Sequence, residues 1–476
     1  MSYRSRRLIV GSLLGAALCI AGCRTHAVDP DPARTFASLS MSAPAPRRAV
    51  EDDSTAPQDQ RDLPVLGESA TLSDYFQYAA LSNAGLESAF QVWRASVERL
   101  PQERSLPDPR ITYGYFIHEV QTRVGKQEQQ VGLSQTFPWF GTLRDKEDAA
   151  RRAANAAYAR LEVARLDLFY RVESAYNELF FLDRSIDITT QNLDLLTEFE
   201  RIARARYRVA AAGHPDITRV QVELGKLEDR IRQLRDMRAP LAARLNAALN
   251  RPLDAEVALP TSVRDRTTDD SSSELLATLR SHNPRLLALT EEAQREQIRA
   301  DIASKDALPD FTIGVTYTDV EKRRDMSVPD NGDDALLATL SFNLPIWRGR
   351  YDAGVREARA RRRAIVSSRA DTEYQLGAQL QQALFDHHDA RRRIELFRDT
   401  LIPKANESIA ASLTAFELGT VDFLDLIDTE RSLLEFQLGL ERAIVDRATS
   451  YARLEMLVGA PLGALPEAPA AEEDRR

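Results

Sequence analysis

The chain has 476 residues, with 63 basic and 72 acidic side chains and a formal net charge of −9. That balance argues against nucleic acid as the main partner, which calls for a basic face. Beyond the N-terminus there is no run of about 18 apolar residues, so a transmembrane helix is not expected, and mean hydropathy is −0.37.

Arg4, Arg6 and Arg7 precede an apolar stretch from Leu8 to Ile20. A positive segment followed by a short apolar one predicts a secretory signal peptide over residues 1–22. It ends in "IAGC", which resembles the lipobox of bacterial lipoproteins. That resemblance implies that Cys23 is lipidated and becomes the mature N-terminus. Arg24 is not the aspartate that retains such lipoproteins in the inner membrane, so the expected destination is the outer membrane. Cys19 leaves with the signal, and no disulfide within the chain is expected. Residues 23–65, rich in Pro, Ala, Asp, Ser and Arg without a period, read as a flexible tether.

A helical pattern opens at "TLSD" and covers about 69–104. Two strands follow, at about 109–120 and 127–137. In the first, Ile111, Tyr113, Tyr115 and Ile117 alternate with Thr112, Gly114 and His118. In the second, Val131, Leu133 and Phe137 alternate with Gly132, Ser134 and Thr136. One face is apolar and the other small and polar, which suits a half-buried soluble strand or a membrane barrel strand. From about 141 to 209 no proline interrupts a helical pattern. Its stripe (Ala157, Leu161, Ala164, Leu168, Val172, Ala175, Leu179, Leu182, Ile186) follows one helical face. Such a helix spans roughly 100 Å at ~1.5 Å per residue and must pack along neighbours.

The chain then repeats itself. Asn83 recurs as Asn283, "LPDPRITYGY" from Leu106 as "LPDFTIGVTY" from Leu308, and "QTFPWFG" as "FNLPIWRG". "YRVAAAGHPDITRVQVEL" from Tyr207 recurs as "FELGTVDFLDLIDTERSL" from Phe416. The offsets rise in order (200, 202, 207, 209), the mark of one tandem duplication with small insertions. The first repeat covers 66–260 and the second 261–460, with strands at about 309–320 and 336–345. A second long helix follows over about 348–418, interrupted by Pro403, and 461–476 reads as a disordered tail. Four strands cannot close a membrane barrel, whose smallest known size is eight, and open edges are forbidden in lipid. If the hairpins span a membrane, several chains must share one barrel; three would supply twelve strands.

The duplicated strand–proline corners, the paired long helices and "FELGTVDFLDLID" resemble the TolC-like outer membrane factors of efflux and type I secretion systems, over about 66–460. The resemblance implies a mainly α fold with a transmembrane β part. It implies a homotrimer whose twelve-stranded barrel continues as a long α-helical barrel across the periplasm. It also implies a periplasmic adaptor protein and an inner-membrane pump as partners. "HEVQTRVG" and "QTFPWFG" are most similar to members serving heavy-metal pumps of the resistance-nodulation-division (RND) type, so metal cations or small toxic compounds are the expected cargo. Pro138 and Pro345 would end strand pairing at the inner membrane edge. Trp139, Phe140 and Trp347 would lie at headgroup depth. Matching "GTVDFLDLID" to the family's periplasmic aperture carries its carboxylates onto Asp425 and Asp428, with Asp422 extending the stripe and Asp216 at the first turn. Val421 stands where a pairing arginine is found in the family, and Pro215 and Phe416 where latching tyrosines are. A gate held by polar links is therefore not expected.

No P-loop, dinucleotide fingerprint, CxxC or HExxH occurs, so neither an enzyme nor a cofactor is expected. His387 and His388 in "DHHD" project about 100° apart on a helix. They cannot share one metal, no metal site is expected, and a solvated helix surface is the reading for 386–389. Two functions remain: a passive export duct, or a periplasmic lipoprotein acting as a coiled-coil scaffold or adaptor without a pore.

Overall fold

The computed structural model describes residues 63–67, 69–209, 213–324, 329–418, 420–421 and 423–462. The signal segment, Cys23, most of the tether, Asp422 and nearly all of the tail lie outside the described residues.

Three short helices, α1 (Leu72–Ser82), α2 (Ala84–Val97) and α3 (Arg99–Arg104), stand where one was expected. "TLSD" opens α1 as a capping box, with the Thr71 N–H donating to Asp74 Oδ2 at 2.7 Å. The break after α1 is made by Asn83. Its Oδ1 accepts from the Leu86 N–H at 2.9 Å, and its amide donates to the Ala248 carbonyl at 2.9 Å. Strands β1 (Arg110–Thr122) and β2 (Gly125–Phe137) follow, then α4 (Thr142–Arg208) and α5 (His214–Ala248).

The second repeat runs α6 (Ser272–His282), α7 (Pro284–Lys305), β3 (Phe311–Lys322), β4 (Ala335–Phe342) and α8 (Arg348–Leu396). A π turn (Phe397–Leu401), α9 (Ile402–Leu418) and α10 (Phe423–Val458) complete it. The duplication extends to single hydrogen bonds. Asn283 Oδ1 accepts from the Arg285 N–H at 2.9 Å, and its amide donates to the Leu457 carbonyl at 2.8 Å. Leu457 lies 209 positions beyond Ala248. The core is likewise written twice. Tyr75, Ala79, Phe169 and Leu245 share one cluster, while Leu275, Leu279, Leu376 and Leu454 occupy the matching places of another. A third cluster joins the repeats through Phe199, Val220, Ile409, Phe416 and Phe423.

Two bounds differ from the sequence reading. Strand β4 ends at Phe342, not at Pro345, because the Asn343 side chain takes the Asp310 N–H at 2.5 Å in place of a backbone partner. The second long helix is broken by the π turn. Pro403 has no N–H to offer the carbonyl four residues back, and the chain widens there. Gly439 of α10 makes room for the result, since a Cβ there would lie 2.8 Å from Phe397 Cζ.

The four strands form one antiparallel sheet in the order β1-β2-β3-β4, so β1 and β4 are free edges. The register puts like beside like. Ile111, Leu133, Val315 and Ala338 form one row across the sheet, and Tyr113, Val131, Tyr317 and Leu336 form the next. The other face holds Thr112, Gly132 and Thr316 in one row, which ends on the exposed Leu337 of β4. No helix among the described residues is long and apolar enough to cross a membrane.

Candidate functional site

The described residues expected at the aperture, Asp216, Asp425 and Asp428, lie where α4 turns into α5 and α9 into α10. Asp425 and Asp428 sit in the first two turns of α10, and both are exposed. Their surroundings differ. Arg431 donates to Asp428 Oδ1 at 2.9 Å and to Glu223 Oε1 at 2.6 Å, while Lys226 lies 2.8 Å from Glu223. The charge of Asp428 is thus partly neutralised, whereas Asp425 faces open space. Asp216 serves its own helix: its Oδ2 accepts from the Gly213 N–H at 3.3 Å, and Arg219 lies 3.6 Å away. Pro215, Val222, Leu424, Ile427 and Arg431 line a cleft of about 520 Å³ between α5 and α10. Phe416 is buried, packs on Phe423 with ring centroids 5.0 Å apart, and carries the Arg206 guanidinium at 4.5 Å. At this end packing and cation–π contact act beside polar links between the helices, Gln221 to Glu200 at 2.9 Å and Arg431 to Glu223 at 2.6 Å.

Sequence reasoning missed Glu430. It is 1% exposed, and its Oε1 has no partner among the described residues. Burial pushes its carboxyl up to about 7; the negative Glu223 adds to the rise and Arg431 opposes it. The repeat contains the signal. Its counterpart 209 positions earlier is Gln221, whose amide donates to Glu200 at 2.9 Å. The counterpart of Glu200 is the buried, apolar Ile409, so the partner that Gln221 has is not repeated for Glu430. An acid raised from 4.5 to about 7 holds its proton longer in the folded state. The unfolded chain therefore ionises first. Stability falls as pH rises through that window and levels off above it, by up to about 3 kcal/mol. Glu173 is likewise pushed up to about 7 by burial. Glu430→Gln is accordingly expected to reduce the fall in urea-unfolding stability between about pH 4.5 and 7, by up to about 3 kcal/mol. An unchanged slope would count against the buried ionisable Glu430.

The strand–helix corners form the other set. Pro138 follows β2 directly, and the chain turns through Gly141 at φ 81°, a conformation that suits glycine, before α4 starts. The Trp139 N–H donates to Asp310 Oδ1 at 3.1 Å, and its ring stacks on Phe311 at 5.7 Å. Trp139 is thus half-buried, while Phe140 and Trp347 are exposed. Pro345 lies three residues past the end of β4.

The "DHHD" expectation needs correction. His388 is exposed, but His387 is fully buried, with Nδ1 3.4 Å from Ser450 Oγ and its ring against Tyr451. Burial lowers its pKa, which favours the neutral ring. Position 387 matches Phe180 of the first repeat, also buried, so the core of α8 claims it. No group of three or more His, Cys, Asp or Glu placed to hold a metal occurs among the described residues.

Residues 77–251 and 275–460 match the model of the outer membrane efflux protein family, one match per repeat. The cobalt-zinc-cadmium resistance protein CzcC of Cupriavidus metallidurans is 22% identical over 373 residues, 77% of this chain and 84% of that one. Nodulation protein T of Rhizobium leguminosarum bv. trifolii is 22% identical over 412 residues, 82% and 85% of the two chains. Among solved structures, the outer membrane protein VceC of Vibrio cholerae superposes with a TM-score of 0.67 at 18% identity, covering 82% of this chain and 96% of that one. The chain belongs to the outer membrane efflux protein family and has the TolC-like fold; family and fold are those of channel proteins, not enzymes.

Proposed function

We propose that three copies of this efflux-family chain form a passive exit duct across the periplasm and outer membrane. The observation that carries the reading is the sheet. Ile111 is 75% exposed, Tyr115 67% and Leu340 67%, on a sheet with two unpaired edges. In water that apolar face and those edges promote aggregation. In lipid the face is satisfied, but each unpaired edge group costs several kcal/mol, which pairing β4 of one copy with β1 of the next removes. Below the corners, α4 with 67 residues reaches roughly 100 Å, enough to line a tunnel. Energy for transport then comes from an inner-membrane pump, of the RND type, joined through a periplasmic adaptor. Heavy-metal cations are the cargo that the relative named for cobalt, zinc and cadmium resistance supports, together with carboxylates at the mouth. Fractionation separates this duct from a pore-free scaffold. Heat-modifiable trimers extracted by detergent from outer membranes are expected; a monomer released by carbonate would count against the duct.

The same reading places a lipid on Cys23. Intact-mass measurement of the mature protein is expected to show acyl chains on that residue. An unmodified chain beginning elsewhere would refute the anchor. Cys23→Ser is expected to assemble still, because barrel closure does not depend on the lipid.

A further inference from the structure

One guanidinium at the α5–α10 junction stands among more carboxylates than it can serve. Arg431 of α10 donates to Glu223 of α5 at 2.6 and 3.3 Å, and to Asp428 at 2.9 Å. The residue before it, Glu430, is buried with no partner for its Oε1 among the described residues. The environments of the two glutamates differ. Burial raises the Glu223 carboxyl, but the hydrogen bonds from Arg431 and Lys226 outweigh it and hold the group below its ordinary value. Glu430 has no such bonds, and burial leaves its carboxyl up at about 7. Glu223 is therefore charged at neutral pH, while Glu430 is poised between its two forms.

Charges on the surrounding helices are engaged elsewhere. Glu200 of α4 is taken up by Arg204 and Gln221, and Arg206 lies on the Phe416 ring. Lys404 and Glu407 of α9 pair with each other at the surface, and Arg219 of α5 lies beside Asp216. An ionised Glu430 then has two ways out. Arg431 can turn to it, an adjacent pairing that this chain already makes where Arg295 reaches Glu296 at 3.0 Å. The cleft of about 520 Å³ that borders Arg431 and Glu223 gives the guanidinium room to move. Otherwise α10 must shift until the carboxylate meets water, because a bare buried charge is costly. Either route weakens the Arg431–Glu223 link between α10 and α5. The duplication shows that the fold does not itself require this trio. Glu430, Arg431 and Glu223 have Gln221, Val222 and Ser432 as their counterparts, and none of these is ionisable near neutral pH.

We propose that Glu430 and Arg431 form a proton-operated switch on the α5–α10 link, tight when Glu430 is protonated and loose when it is ionised. The switch belongs to the single chain and stands whatever the number of copies. Carried to the proposed duct, it makes the firmness of the α5–α10 end follow pH; that step alone rests on the duct reading.

The test is hydrogen exchange of the full-length protein in detergent, read by mass spectrometry at about pH 6 and about pH 8, on either side of the Glu430 transition. At each pH the wild type is compared with Glu430→Gln, so that the chemical exchange rate cancels. At the lower pH, peptides from the first turns of α5 and α10 are expected to exchange alike in the two proteins. At the higher pH they are expected to exchange about fivefold faster in the wild type. Equal exchange at the higher pH, or the same difference at both, would overturn the switch. Infrared spectra supply a readout that packing alone would not move. A protonated-carboxyl stretch is expected in the wild type at the lower pH, lost at the higher pH and missing from Glu430→Gln. Identical bands in the two proteins would contradict the buried acid. Oligomeric state, read separately on the same samples, bears on the duct alone.

Discussion

Val315→Arg is expected to abolish the assembled duct, whereas Thr316→Arg, one residue on, is expected to spare it. Val315 lies near the middle of β3, in a row with Ile111, Leu133 and Ala338 on the apolar face. An arginine facing lipid near the bilayer midplane costs about 2–4 kcal/mol, and with three copies in the proposed barrel the penalty is roughly 6–12 kcal/mol. That is comparable to the whole stability of a typical fold. Thr316 lies on the other face, between Gly132 and Leu337 in the register and in a row with Thr112, where an arginine extends into water. Quantifying trimers in outer-membrane extracts checks both. Equal tolerance of the two substitutions would show that the apolar face does not meet lipid.

Asp425→Asn is expected to weaken cation selectivity more than Asp428→Asn. Both residues are exposed on α10, but Arg431 already sits 2.9 Å from Asp428 and leaves Asp425 alone. A unit charge about 8 Å from a passing ion contributes ~0.5 kcal/mol in water, so three copies of Asp425 contribute ~1.5 kcal/mol, about tenfold in permeability before screening. Salt reduces this to several-fold. Reversal potentials of the purified trimer across planar bilayers under a salt gradient measure it, and multivalent-cation block is expected to weaken in parallel. If the double variant Asp425→Asn with Asp428→Asn leaves both unchanged, the aperture lies elsewhere.

Much of the fold was legible because it is written twice. Two copies of a strand pair, a proline corner and a long apolar stripe constrain each other, and the rise in offset from 200 to 209 located the insertions in outline. What escaped the sequence depends on partners distant along the chain. The joint at Asn83 needs the Ala248 carbonyl 165 residues away, so local propensity could not separate α1 from α2. His387 is flanked by charged and polar residues and looks exposed until Ser450 and Tyr451 close over it. Pro403 hinted at a break in the second long helix, but the π turn also required the space above Gly439. The exposed carboxylates at the start of α10 were readable as a motif. The inequality between Asp425 and Asp428 was not, since it comes from Arg431 and its shared partner Glu223 on α5.

Native mass spectrometry of the protein extracted from outer membranes into detergent tests the shared barrel most directly. The account predicts three copies in every folded particle and no folded single chain, because β1 and β4 find partners only in neighbouring copies. Single copies whose strand amides are fully protected from hydrogen exchange would contradict it, since the edges would then be satisfied within one chain.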